Sequence, residues 1–251
     1  MALFKSGNPA LGENTFTRLA PVADSDSVMT LQGTVNRIAL LLALVFAGAA
    51  FTWWLFDTTR DFAIVSPFFY GGLIGGLVVA LILVFKHQWA PYLAVLYAGL
   101  EGLALGGLSA LMDSIYPGIA IEALLLTFGI LAVLLVVYTT RLIKVTENFK
   151  LMIVAATGGI ALYYVLSIVL GLFGIAVPLI HDNSWLGIAF TLGVVIIASL
   201  NLVVDFDFIE QGVERRAPKY MEWYGAFGIL VTLVWLYVEL LRLLSKLRSR
   251  D

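Results

Sequence analysis

The side chains with chemistry to offer are carboxylates set inside apolar runs. Glu101 lies in APYLAVLYAGLEGLALGGLSA (Ala90–Ala110), with Gly99, Gly102, Gly106 and Gly107 around it. That run is about one bilayer crossing long. Asp205 and Asp207 lie in NLVVDFDFIEQG, and Glu239 lies in LYVELLRLL. A carboxylate in hydrocarbon is costly, so each should turn toward a protein interior or a water-filled cavity. There it can hold a proton or a cation. Two carboxylates at close range in a low dielectric cannot both ionise cheaply, so such a pair would respond to pH. Calcium asks for several oxygen ligands. The deep ones here are few, namely Glu101, Asp205, Glu239 and Asn201, which suits weak binding or a leak rather than a tight buffer.

Helical spacing separates these acids. Residues two apart do not share a helix face. Asp207 shares one with Glu210 and Gln211 and is expected at a water-facing rim. Asp205 shares one with Asn201, a turn deeper, and is the better candidate for a buried site. A hydrated helix end is the alternative for both. Thr232, Trp235, Glu239 and Arg242 form one stripe, in which Glu239 and Arg242 can pair as ions. For Glu239 a structural ion pair is the alternative to a sensing role. Glu101 is either a hydrogen-bonded structural glutamate or part of a permeation path. Glu122 stands close enough to an outer interface to be merely solvated.

The elements that carry these residues are membrane spans. The chain is 61% hydrophobic and 13% charged, and its mean hydropathy is +0.98. A soluble domain of this length could not cover so much apolar surface. Seven apolar segments are expected: 37–56, 63–85, 89–112, 118–139, 151–180, 185–209 and 224–244. Residues 1–30 are polar and aperiodic, and read as a disordered cytoplasmic tail ahead of a membrane domain over 31–251. With no signal-peptide pattern there, the first span is expected to remain as an uncleaved anchor.

Other chemistries lack their residues. The sequence contains no cysteine and only two histidines, so thiol catalysis and a histidine metal cluster have no ligands. No nucleophile–base set or nucleotide-binding motif is visible, so no enzyme and no cofactor are expected. Basic residues are too few and scattered to bind nucleic acid. With the N-terminus inside, ten of the 15 Lys and Arg residues fall on the cytoplasmic side, and only Arg60 in the outer loops. Arg242, Lys246, Arg248 and Arg250 oppose that count if the last segment crosses fully. A last segment that enters without crossing would remove the conflict.

Three patches resemble the Bax inhibitor family, also called the transmembrane Bax inhibitor motif family, in its bacterial branch. YAGLEGLALGGLS is similar to the family's third-span pattern of Glu-Gly, apolar residues and Gly. VVDFDFI stands where the family has an Asp-Thr-Gln-like stretch at the end of span six. LYVELLRLL resembles the final helix, which carries Leu-Tyr-Leu-Asp and often ends in Leu-Leu-Arg. The resemblance runs over about 30–247. It implies an all-α membrane fold of seven transmembrane helices, two three-helix groups around a central C-terminal helix. It also implies a pH-sensitive calcium leak in a bacterial cytoplasmic membrane, sensed by a carboxylate pair on span six and the last helix.

Asp205 matches the first member of that pair. The second is Glu239 if LYVE is matched to Leu-Tyr-Leu-Asp, or Thr232 if LLRLL is matched to the terminal Leu-Leu-Arg. Depth favours Thr232, because Asp205 is expected near the cytoplasmic end of its span and Glu239 about 20 Å deeper. The competing function is a regulatory protein that docks on another membrane protein, such as a quality-control protease, with residues 1–30 as a possible handle. The partners expected are therefore lipid, protons, calcium and a membrane protein.

Overall fold

The computed structural model describes residues 28–175 and 184–249. Seven long helices follow one another: α1 Leu31–Thr59, α2 Phe62–Phe85, α3 Ala90–Ile115, α4 Ile119–Thr139, α5 Glu147–Leu172, α6 Trp185–Glu214 and α7 Met221–Arg248. Each is long and apolar enough to cross a membrane, and no strand occurs among the described residues. The chain is an all-α, multi-pass membrane protein.

Local chemistry sets the helix ends. Thr30 caps α1 by accepting the Gly33 N–H at 3.0 Å, and Asp61 caps α2 by accepting the Ala63 N–H at 2.8 Å. Between them Arg60 takes a left-handed φ of 52° and returns its N–H to Phe56 O. Pro91 opens α3, where a missing N–H costs nothing. Thr146 caps α5 through the Phe149 N–H.

Contacts divide the chain into two compact units. Among the described residues, one contains the chain up to Ala120 together with Phe208–Val231. In it α3 packs on both α1 and α2 through glycine. A Cβ on Gly102 would stand 2.5 Å from Val45 O, and one on Gly106 would stand 2.3 Å from Ala49 O. On the α2 side, a Cβ on Gly72 would stand 2.3 Å from Leu100 O. These helices touch backbone to backbone, as expected of the spacing of Gly102 and Gly106. The other unit contains Ile121–Asp207 and the chain from Thr232 onward, so α6 and α7 each contribute to both. About two-thirds of the apolar stretch of α7 is buried, against 6% for α5, so α7 is the more enclosed helix.

Several expected boundaries move. α5 ends at Leu172 instead of 180, because Gly174 takes a left-handed φ of 76° and breaks the helix although the sequence stays apolar. Residues 176–180 lie outside the described residues. α6 runs on to Glu214, so Asp205 lies nine residues, roughly 13 Å, inside its helix and not near its end. α7 is an unbroken helix of 28 residues, roughly 42 Å, which is longer than a bilayer core. Of the segment read as a tail, residues 1–27 lie outside the described residues. Its last three residues are fixed: Met29 is buried and donates its N–H to Ala217 O at 2.7 Å.

Candidate functional site

The polar residues of the second unit form a ladder. α5 carries Lys150, Thr157 and Tyr164, and α7 carries Thr232, Glu239 and Lys246, each at intervals of seven. Seven residues are nearly two turns, so each set lines one face with rungs ~10 Å apart. α6 faces them with Asp207, Asp205, Asn201 and Thr191.

At one end, Lys150 Nζ lies 2.6 Å from Asp207 Oδ2 and 3.8 Å from Glu147 Oε1. Lys150 is buried, and the Asp207 side chain is 16% exposed. Asp207 is therefore no solvated rim acid, as its face with Glu210 and Gln211 had suggested. It neutralises a lysine from another helix.

Next, the Thr232 hydroxyl donates to Asp205 Oδ2 at 2.5 Å, and Asp205 has no exposed surface. A hydroxyl bonded to a carboxylate is a charge-assisted contact, stronger than a neutral one. One turn away, Asn201 Nδ2 donates to Thr157 Oγ1 at 2.8 Å and to Ile197 O at 2.9 Å. Asn201 Oδ1 is buried with no hydrogen-bond partner.

The third rung is fully satisfied. Glu239 accepts from Tyr164 OH at 2.8 Å, from Arg242 Nη1 at 2.8 and 2.9 Å, and from the Trp235 side chain. Arg242 also donates to Tyr164 OH at 2.7 Å and lies 5.2 Å over the Tyr164 ring. At the far end, buried Lys246 Nζ donates to Gly187 O at 3.1 Å and Thr191 Oγ1 at 3.0 Å, and Arg248 pairs with Glu122 at 2.6 Å.

The rungs also show how the last helix runs. Thr232 meets Asp205, and Lys246, fourteen residues on, meets Thr191, fourteen residues back. α7 therefore runs antiparallel beside α6 over about 20 Å of this unit. The last segment is one unbroken helix, long and apolar enough to cross.

The expected residues thus separate. Asp205 and Thr232 come together, as do Glu239 and Arg242. Asp205 and Glu239 do not: their partners differ, and Thr232 stands seven residues, about 10 Å, from Glu239 on the same helix. Glu101 belongs to the other unit, above Gly76, where a Cβ would stand 2.7 Å from its Oε2. Lys150, Thr157 and Tyr164 were not singled out by the sequence. Their seven-residue spacing on α5 was the available signal.

A sequence profile described as Bax inhibitor 1 like matches residues 8–249, nearly the whole chain. The chain belongs to that family. No curated protein and no solved structure matches it. Of the two residues expected as partners of Asp205, Thr232 is the one bonded to it. Among the described residues no three His, Asp or Glu side chains gather closely enough to hold a metal ion.

Proposed function

We propose that this member of the Bax inhibitor 1 like family is a pH-responsive cation leak of a bacterial cytoplasmic membrane. Calcium is its principal ion, and Asp205 is the group whose protonation sets its state. The observation that supports this most is the Asp205–Thr232 contact. A carboxylate with no exposed surface is held by a hydroxyl of the most enclosed helix. Burial penalises the charged form of any carboxylate. Protonation removes the charge, and the acid can then donate instead of accept. The bond that ties α6 to α7 in this unit would change with it. Nearby, Asn201 Oδ1 offers an unengaged oxygen to a passing cation.

The reading takes the N-terminus as cytoplasmic, on the count of Lys and Arg. Three of the four basic residues at the end of the chain that oppose that count have structural partners, and Arg250 lies outside the described residues. Arg242 is bound to Glu239, Arg248 is bound to Glu122, and Lys246 is buried against Gly187 and Thr191.

The test is calcium flux from liposomes containing only the purified protein, across a range of pH. The expected result is a flux that varies with pH and a flat profile for Asp205→Asn. Absence of flux at every pH would sink the channel reading. The second reading would then stand, that of a regulatory protein docking on a membrane partner such as a quality-control protease. It draws support from the fixed segment ahead of α1.

A further inference from the structure

Glu222 lies in the first turn of α7, and its side chain is fully enclosed. Its partners come from three separate stretches, and only Oε1 accepts hydrogen bonds. Thr30 supplies its N–H at 3.1 Å and its hydroxyl at 2.8 Å. Lys219, in the turn between α6 and α7, approaches Oε1 at 3.1 Å, and Arg37 of α1 approaches Oε2 at 3.7 Å. The Thr30 hydroxyl meanwhile accepts the Gly33 N–H, so one oxygen caps α1 and holds Glu222. A Cβ on Gly33 would stand 2.0 Å from Glu222 Oε1, so any larger residue there would push the carboxylate aside. Alongside, Val28 bridges to Pro218 and the Met29 N–H reaches Ala217 O.

This arrangement is more than the acid common at a helix start. A first-turn glutamate ordinarily faces water and its own helix N-terminus. Here it is buried and serves the N-terminus of a helix 192 positions away in sequence. Its outer partners are open to water: the Lys219 side chain is 45% exposed and that of Arg37 31%, and Thr30 is exposed. The contact borders the surface at Thr30 and Lys219, and opening it would also draw the buried Met29 side chain from its place beside Gly225. Once Thr30 leaves, a buried carboxylate loses two donors at once, a costly state that the first turn of α7 must relieve by moving.

We propose that Glu222 is a clasp that fastens the segment ahead of α1 to the start of the last helix. Displacing Val28–Thr30 releases the first turn of α7, and disturbing that turn releases the segment, since coupling of this kind is reciprocal. A protein partner that grips the chain ahead of Val28 would act on α7 at this point. The proposal does not depend on the leak reading.

Hydrogen exchange on the full chain in nanodiscs tests it. The Met29 amide is bonded to Ala217 and not to Glu222, so it reports on the segment alone. Glu222→Leu should raise exchange at Met29 at least tenfold. Thr30→Val should raise exchange across the clasp, at Trp223 and Tyr224, and Thr30→Ser should restore protection. Should Glu222→Leu fail to fold, the Thr30 pair carries the test alone. Unchanged exchange at Met29 in Glu222→Leu, or at Trp223 and Tyr224 in Thr30→Val, overturns the clasp.

Discussion

The helices α1 to α3 and the helices α5 to α7 are held together by different physics. In the first group glycines bring backbones into contact, and the hydroxyl of Thr52 stays on its own helix, bonded to Gly48 O at 3.2 Å. In the second group a Cβ on Gly225, near the start of α7, would meet a neighbouring helix, at Ile209 of α6, but Gly158, Gly159, Gly171 and Gly193 have nothing within 4 Å of an added Cβ. There the helices meet through polar side chains in rungs. Lipid tails are as apolar as leucine, so membrane helices associate by close packing or by interhelical hydrogen bonds. This chain uses one means in each region. The difference matters for function: a backbone contact has a single state, whereas a carboxylate rung has one state with a proton and one without.

Overpacking should break the first region hardest. Gly106→Leu should cost ~3 kcal/mol or more, beyond the usual range for an added side chain, because it meets backbone and the Thr52 hydroxyl. Loss of folded yield and of thermal stability in detergent would show it, and Gly102→Leu should behave alike. Next in size is the third rung. Glu239→Gln keeps the shape but removes the charge that holds Arg242 and Tyr164, at about 2 kcal/mol. Chemical denaturation in mixed micelles measures this, and an unchanged midpoint would mean that the cluster contributes nothing. The smallest effect sharpens the comparison most. Gly158→Ala on α5 should leave stability unchanged or raise it by up to about 1 kcal/mol, since an exposed helical glycine gains from a Cβ. The same change at Gly106 should be clearly destabilising. Equal responses at both positions would erase the distinction.

Much of this was legible in the residues. The seven spans follow from apolar length. The tight face of α3 follows from Gly102 and Gly106, four apart. The burial of Asp205 was expected from Asn201 one turn away, but the depth argument that set Thr232 against Glu239 assumed Asp205 near its helix end, where it does not lie. What stayed hidden depends on the third dimension. Asp207 looks water-facing beside Glu210 and Gln211, but its neighbour Lys150 comes from another helix, 57 positions earlier. Tyr164 joins Glu239 across 75 positions. Glu222 looks like an ordinary first-turn acid until Thr30 is seen against it. The end of α5 was misjudged because the apolar run continues past Gly174, and an apolar run cannot report a backbone that turns left-handed.

The central claim is the proposal that Asp205, bonded to the hydroxyl of Thr232, sets the response to pH. The most direct measurement compares calcium efflux from liposomes containing the purified wild-type protein, Asp205→Asn and Thr232→Asp, over one pH series. The wild type should change its flux with pH, and Asp205→Asn should hold a constant flux while remaining folded. In Thr232→Asp a second carboxylate stands beside the first, and two charges at close range favour proton uptake at higher pH. Its response should therefore move to higher pH than that of the wild type. A wild-type profile in Asp205→Asn, or a Thr232→Asp response that does not move, would contradict the account.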